Sequence, residues 1–185
     1  PGASVPPKEP FMIKSLATLA LTLCLATAAH AGEDDFVAGT LVPDYGKYAP
    51  RESARLPEGT VMKVAFDMSK AAPDGEINSD LVKVARFLNM HAGSGVAPEN
   101  LSAAIVVHGA ASADLLTAEK LGHANPNAEL IAELLAAGAT IDLCGTTSAA
   151  RDIAQEDLLP GITISLSAMT SHALLQQQGY TLNPF

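Results

Sequence analysis

The chain has 185 residues, 48% of them hydrophobic and 17% charged, a composition that supports a folded core and excludes a disordered polar tract. Lys and Arg number 11 against 20 Asp and Glu, for a formal net charge of -9. Without a basic run, we expect no nucleic-acid partner. Two cysteines and no Trp argue against a disulfide scaffold, a structural zinc site and a base-stacking surface.

The N-terminal region has two parts. Residues 1–11 are rich in proline and precede the first methionine, so we interpret them as a non-native or mis-called upstream segment. Residues 12–31 follow with a Met start, one Lys, an apolar run and the small-x-small sequence Ala29-His30-Ala31. This pattern is typical of a secretory signal peptide.

Export is therefore expected, with a periplasmic or secreted mature protein. The apolar run is shorter than the ~20 residues that a membrane span needs, and Glu33-Asp34-Asp35 follows it in place of a basic flank. We expect no membrane association after cleavage. Loss of Cys24 with the signal peptide leaves Cys144 as the mature protein's one thiol.

The mature chain alternates strand and helix patterns. Residues 32–59 carry scattered prolines and predict an extended N-terminal arm, followed by an α/β domain over residues 60–185. Apolar runs predict strands at 60–68, 101–108, 139–143, 162–166 and 180–185. Helical spacing predicts helices at 81–92, 112–121, 127–137, 146–156 and 168–178. Strands joined by helices require an open, mostly parallel sheet with helices on both faces.

Two residues capable of chemistry end predicted strands, His108 and Cys144. Open parallel sheets bind ligands outside the carboxyl ends of their strands. Amides and the positive end of the following helix would lower the pKa of the Cys144 thiol. If the two strands are neighbours, the His108 imidazole stabilises the thiolate or accepts its proton. We predict both as catalytic residues.

Plainer interpretations stay open for both residues. A free cysteine is often only a small buried hydrophobe, and a strand-end histidine often ties a loop to a carbonyl. His91, His123 and His172 lack a partner at helical spacing, so we expect no metal site. Gly93-Ser94-Gly95 follows a predicted helix and lacks a third glycine, so we expect no dinucleotide cofactor.

Several short blocks recur in a familiar order. They are residues 105–109 (IVVHG), 138–145 (GATIDLCG), 158–162 (LLPGI), 167–168 (SA) and 175–180 (LQQQGY). Together they resemble the DsrE/DsrF-like sulfur-relay family, in particular its exported members, over residues 61–185. The resemblance implies flavodoxin-like layering and assembly into homotrimers or homohexamers. It also implies a strand-end cysteine that carries sulfur as a persulfide, at the position of Cys144, with His108 in the family's His-Gly block.

The leading hypothesis is an exported DsrE-like protein that binds or transfers sulfane sulfur through Cys144, with His108 assisting. Its partner would be a sulfur donor or acceptor, either a small molecule or a protein. The alternative is a non-enzymatic, homo-oligomeric binding or assembly module in which the cysteine is buried and inert. A third possibility is small-ligand binding in a cleft between subunits at the strand ends.

Overall fold

The computed structural model of the chain describes residues 1–2 and 35–183. The chain divides into two units, Pro1–His30 and Ala31–Phe185, and every described helix and strand belongs to the second. The predicted signal peptide at residues 12–31 lies outside the described residues.

The second unit is built on one five-stranded sheet. Its strands are β1 (Met62–Met68), β2 (Leu101–Val107), β3 (Thr140–Cys144), β4 (Thr163–Ser165) and β5 (Thr181–Asn183). They lie in the order β4-β3-β2-β1-β5, and every neighbouring pair is parallel. The predicted fold class, an open parallel α/β sheet with helices on both faces, is confirmed.

Helices connect the strands. They are α1 (Ser79–Gly93), α2 (Ala118–Leu121), α3 (Ala128–Ala136), α4 (Gly145–Ala150) and α5 (Ala168–Gln177). The two longest begin at side-chain caps: Asn78 accepts a hydrogen bond from the amide of Asp80, and Ser167 accepts one from the amide of Thr170. These two side chains thus set where α1 and α5 begin.

The strand order explains where a crevice opens. From β1 to β4 the chain steps across the sheet in one direction, whereas the last crossover returns from β4 to β5 at the far edge. Right-handed crossovers therefore place α5 on the face opposite α1 and α3. The chain leaves β3 toward one face and β4 toward the other, and such a switch point leaves space at the carboxyl ends of these two strands.

The two faces of the sheet differ in their side chains. Large apolar residues of β1, β2 and β3 point toward α1 and α3 and form the core with them; among these are Phe66, Met68, Ile105, Ile141 and Leu143. The face under α5 presents Ala65, Ala104 and Val106, together with Asp67 and Asp142. Small and polar residues thus line the side on which α5 lies.

Two predicted helices are wrong in extent. Residues 112–121 form a 3-10 helix (Gly109–Leu115) and the short α2, separated where Leu116 makes an isolated antiparallel bridge with Leu158. Burial of both leucines in the core pulls that segment out of helical geometry. The helix predicted at 146–156 ends at Ala150, because Asp152 adopts a left-handed φ of 52° and the hydroxyl of Ser148 donates to the carbonyl of Ile153.

The segment before β1 packs against α1. Val42 is fully buried, and the side chain of Asn89 in α1 hydrogen-bonds Val42 N–H and the carbonyls of Val42, Tyr45 and Gly46. Gly46, at a φ of 65°, sits so close to the α1 backbone at Ala85 and Arg86 that a side chain would collide with it. One buried amide thus holds this part of the arm on the face away from α5.

Candidate active site at the carboxyl ends of the strands

A cavity of about 320 Å³ opens at the switch point between β3 and β4. Its walls come from the ends of β1, β2 and β3 and from the first turns of α4 and α5. The lining residues are Asp67, His108, Cys144, Thr146, Thr147, Ser167, Ala168, Met169 and His172. Both residues predicted as catalytic, Cys144 and His108, therefore border one cavity.

Cys144 lies at the floor of this cavity. It is the last residue of β3 and the N-cap of α4, and only 7% of its surface is exposed. Burial raises the pKa of the thiol, but hydrogen bonds from the amides of Ala168, Thr147 and Thr146 and from the Thr147 hydroxyl outweigh it. The net result lowers the thiol pKa from 9.0 to about 7. A large fraction of the sulfur is therefore thiolate at neutral pH.

The hydroxyl of Thr147 joins the two strand-end loops. Its oxygen accepts a hydrogen bond from the amide of Gly109 at 3.1 Å, directly after His108. The same hydroxyl is among the groups that lower the pKa of the Cys144 thiol. Thr147 therefore joins the loop after His108 to the helix that follows Cys144.

Gly145 allows the amide of Ala168 to approach the sulfur. A Cβ at this position would overlap the carbonyl oxygen of Ser165 and come within 2.9 Å of that of Leu166. The absence of a side chain lets the start of α4 lie against the end of β4. The sulfur thereby receives amides from two different segments, one after β3 and one after β4.

A second cluster lies beside the thiol. Asp67, at the end of β1, accepts hydrogen bonds from two imidazoles: Nε2 of His172 at 2.7 Å and Nε2 of His108 at 3.1 Å. Burial raises the pKa of Asp67, but the hydrogen bonds from His172 and His108 more than offset it and leave the pKa below its ordinary value. The carboxylate is therefore ionised, and it orients both rings.

The sequence located two of these four residues. Asp67 and His172 were missed: Asp67 looks like the polar position of an alternating strand, and His172 lies in a helix without a partner at helical spacing. Only the return of the chain from β4 through α5 brings His172 over β1. The hydrogen bonds of the His108 side chain go to Asp67, and amides with a hydroxyl are the principal groups that stabilise the thiolate.

Within residues 1–2 and 35–183, no three His, Cys, Asp or Glu side chains form a group able to hold a metal ion. No helix in the described part of the chain has the length and apolar character to cross a membrane.

The fold is an open parallel α/β domain, and its candidate site is a strand-end cysteine on a small cavity. The DsrE/DsrF-like family matches residues 62–184, and the chain belongs to this family. The predicted resemblance is confirmed.

Two solved structures are similar to this chain, and the first of them shares its fold. A protein of unknown function from Methanobacterium thermoautotrophicum, MTH1491, is 17% identical with a TM-score of 0.51, over 66% of this chain and 97% of that one. The ychN protein from E. coli is 18% identical with a TM-score of 0.48, over 65% of this chain and 97% of that one. No curated protein matches the sequence.

Proposed function

We propose that this protein is exported and carries sulfane sulfur on Cys144 as a persulfide, which it passes to an acceptor thiol. The observation that supports the proposal most directly is the position of Cys144 at the end of β3 on a small cavity, where nearby amides and the Thr147 hydroxyl lower the thiol pKa to about 7. The same donors would stabilise the negative charge of a persulfide. Membership of the DsrE/DsrF-like family agrees with this chemistry.

The cycle needs one thiol. The Cys144 thiolate attacks the outer sulfur of a donor such as a polysulfide, and the donor's S–S bond breaks with its electron pair on the departing fragment. The sulfur now bound to Cys144 is taken by an acceptor thiolate, which restores the Cys144 thiolate. No electron is gained or lost overall, so the cycle requires neither a second cysteine nor a redox cofactor.

Assembly into a homo-oligomer is part of the proposal. Leu166 and Met169, beside the cavity, are 80% and 81% exposed, and Leu174 and Leu182 are also exposed. Exposed apolar side chains grouped around α5 are suited to contact with another copy. A trimer or hexamer by analytical ultracentrifugation supports this part, and a monomer at micromolar concentration contradicts it.

Persulfide loading tests the central claim. Residues 32–185 are incubated with inorganic polysulfide and weighed by intact-mass spectrometry. We expect a gain of one sulfur atom, reversed by a small thiol and absent in Cys144→Ser. No adduct on the wild-type protein, or an adduct that persists in the variant, contradicts the proposal.

Thiol titration separates sulfur carriage from the alternative of an inert buried cysteine. The native protein is treated with a thiol-reactive disulfide at neutral pH, and an unfolded sample serves as the control. We expect Cys144 to react in the native state. Reaction only after unfolding favours a binding or assembly module.

Export has its own test. The full chain is expressed in a bacterium with an exporting envelope, and the fractions are separated. We expect the mature form in the periplasm or medium, with an N-terminus at Gly32 by peptide sequencing. Retention of uncleaved chain in the cytoplasm contradicts this part of the proposal and leaves the thiol chemistry untouched.

A further inference from the structure

The cluster of Asp67, His108 and His172 has no task in the steps above. The Cys144 thiolate is stabilised by backbone amides and Thr147, so its formation does not need an imidazole. Two histidines, both held by one carboxylate, lie on the wall of the same cavity. They are therefore free to accept a proton in a different step of the cycle. A proton is released when the acceptor thiol ionises to the thiolate that attacks the persulfide.

We propose that His108 is the base that deprotonates the acceptor thiol, and that Asp67 and His172 position it for this task. The inference rests on the proposed function of sulfur carriage by Cys144. It assigns a catalytic role to His108 on new grounds and positioning roles to two residues of β1 and α5.

The hydrogen bonds fix the tautomers of both rings. A carboxylate only accepts hydrogen bonds, so each Nε2 that contacts Asp67 carries a proton. In the neutral rings the lone pair is then on Nδ1. This carboxylate–imidazole pairing leaves His108 able to accept a proton at Nδ1 while Nε2 stays held.

Exposure distinguishes the two rings. The side chain of His108 is 35% exposed, whereas that of His172 is 16% exposed. The Nδ1 atom of His172 is buried and has no hydrogen-bond partner among the described residues, so an acceptor thiol cannot reach it. His108 is therefore the ring that meets the acceptor, and His172 holds the other side of Asp67.

The step balances without a further reactant. The acceptor R–SH gives its proton to Nδ1 of His108, and R–S⁻ attacks the outer sulfur of the Cys144 persulfide. A bond forms between the acceptor sulfur and the outer sulfur, and the bond from that sulfur to Sγ of Cys144 breaks with its electron pair on Sγ. The imidazolium then returns this proton to the transferred sulfur, so the products are R–S–SH, the Cys144 thiolate and neutral His108.

Several other ionisable groups surround these rings. The cavity itself contributes only Asp67 and Cys144. A neighbouring cleft of about 840 Å³ shares Asp67 and adds Lys70, Glu76, Asp80 and Lys83. Lys83 and Asp80 pair with each other at 2.8 Å. Among the described residues, none of these four added groups contacts either imidazole.

Asp67→Asn is the sharpest test, because the fold supplies a matched control. The side-chain amide introduced by this substitution can accept from one imidazole, but its NH2 group faces the other Nε2–H and forces that ring into the opposite tautomer. Asp142 lies on the same face of the sheet and accepts from the hydroxyls of Thr163 and Ser171. A hydroxyl can reverse its role, so Asp142→Asn is accommodated without such a change.

The experiment measures loading and transfer separately. Each protein is loaded with inorganic polysulfide, the persulfide is confirmed by mass, and transfer to N-acetylcysteine is followed as a function of pH. We expect normal loading for all variants and transfer slowed by at least about tenfold in Asp67→Asn and His108→Gln. The loss should shrink as pH approaches the acceptor thiol's pKa, where the acceptor is already ionised. His172→Gln should show a smaller loss, and Asp142→Asn none.

Histidine NMR provides a readout that a purely structural role would not move. Nitrogen-edited spectra should show both wild-type rings with the proton on Nε2, and one ring changed in Asp67→Asn. Wild-type transfer rates at every pH in loaded Asp67→Asn and His108→Gln overturn the inference alone. Failure of the wild-type protein to load overturns the proposed function, and this inference with it. If Asp67→Asn does not fold, His108→Gln, at a partly exposed strand end, decides the matter.

Discussion

The two faces of the sheet are built for different purposes. Toward α1 and α3, the strands present large aliphatic and aromatic side chains that pack with these helices into the core, and the arm is held over α1 by Asn89. Toward α5, they present alanines, Val106 and two aspartates, and Ser171 is the buried residue of that helix. Stability is thus concentrated on one face and the ionisable chemistry on the other.

This division explains how a buried thiol becomes reactive. A cavity lined by large aliphatic groups would raise the thiol pKa, since burial alone disfavours the thiolate. The small side chains on the face under α5 instead leave room for backbone amides and hydroxyls near the sulfur. The exposed leucines and Met169 of the same face are then left for contact with another copy, as proposed above.

The largest expected loss of stability comes from a substitution in the core on the α1 face. Leu88 of α1 is 1% exposed, so Leu88→Ala leaves a cavity in the core and should lower the free energy of unfolding by about 2–5 kcal/mol. The matched substitution Leu174→Ala removes the same atoms from a side chain that is 49% exposed. We expect it to cost about 1 kcal/mol or less in the monomer. Urea unfolding of both variants measures the difference.

Concentration dependence sharpens this comparison. If α5 contacts another copy, Leu174→Ala should weaken assembly and its cost should grow as protein concentration rises. At a concentration where the protein is monomeric, Leu88→Ala and Leu174→Ala could lower the free energy of unfolding equally. The two faces would then contribute equally to stability, which would contradict the division described here.

Elements with one dominant local signal could be predicted from the sequence. The run at 101–107 is buried at six of its seven positions, and Ile141, Leu143 and Cys144 are buried in the run at 140–144, so the apolar character of both runs identifies them as strands and places Cys144 at a strand end. The helix predicted at 112–121 fails because core contacts of Leu116 and Leu158 outweigh local helical spacing. Such contacts join residues that are distant in the chain and leave no local pattern.

The site was predictable only in part, for the same reason. Cys144 and His108 each follow an apolar run, which is a local signal. The pairing of Asp67 with His172 depends on the crossover from β4 to β5, which brings α5 across the sheet. Neither residue has a neighbour in sequence that indicates its partner.

An intermediate effect is expected where the arm meets α1. Asn89→Ala removes four hydrogen bonds to the backbone of residues 42–46 and leaves buried Val42 N–H without an acceptor. We expect a loss of roughly 1–3 kcal/mol in urea unfolding and faster proteolysis within residues 35–59. Asn89→Asp keeps the acceptor for Val42 but turns a buried oxygen toward three carbonyls in place of the donating NH2 group, so it should cost at least as much as Asn89→Ala.

The same variant tests how independent the two faces are. Because Asn89 lies on the face opposite the cavity, the alkylation rate of Cys144 should not change in Asn89→Ala. A slower or faster reaction of the folded variant would mean that the arm supports the site, and the two faces would then be coupled.

The smallest change in stability, and the most specific change in chemistry, is expected at Thr147. Thr147→Val keeps the shape but removes the proton donated to the sulfur and the oxygen that accepts from Gly109. The thiolate is the form that reacts with iodoacetamide, so wild-type alkylation should reach half its maximum near pH 7. Loss of one donor destabilises the thiolate and should raise this midpoint by roughly one pH unit, which slows the reaction at neutral pH.

Thr147→Ser is the control, since it keeps the hydroxyl and loses only a methyl group. Thr147→Ser should retain the wild-type midpoint of alkylation. The free energy of unfolding of Thr147→Val should lie within about 1–1.5 kcal/mol of the wild-type value, so that both variants are compared in the folded state. An unchanged midpoint in folded Thr147→Val would mean that backbone amides alone ionise the sulfur. The low pKa of the thiol would then be due to backbone amides and not to side chains. Substitutions in the walls of the cavity would then change how a sulfur donor or acceptor binds, but not the thiolate fraction of Cys144.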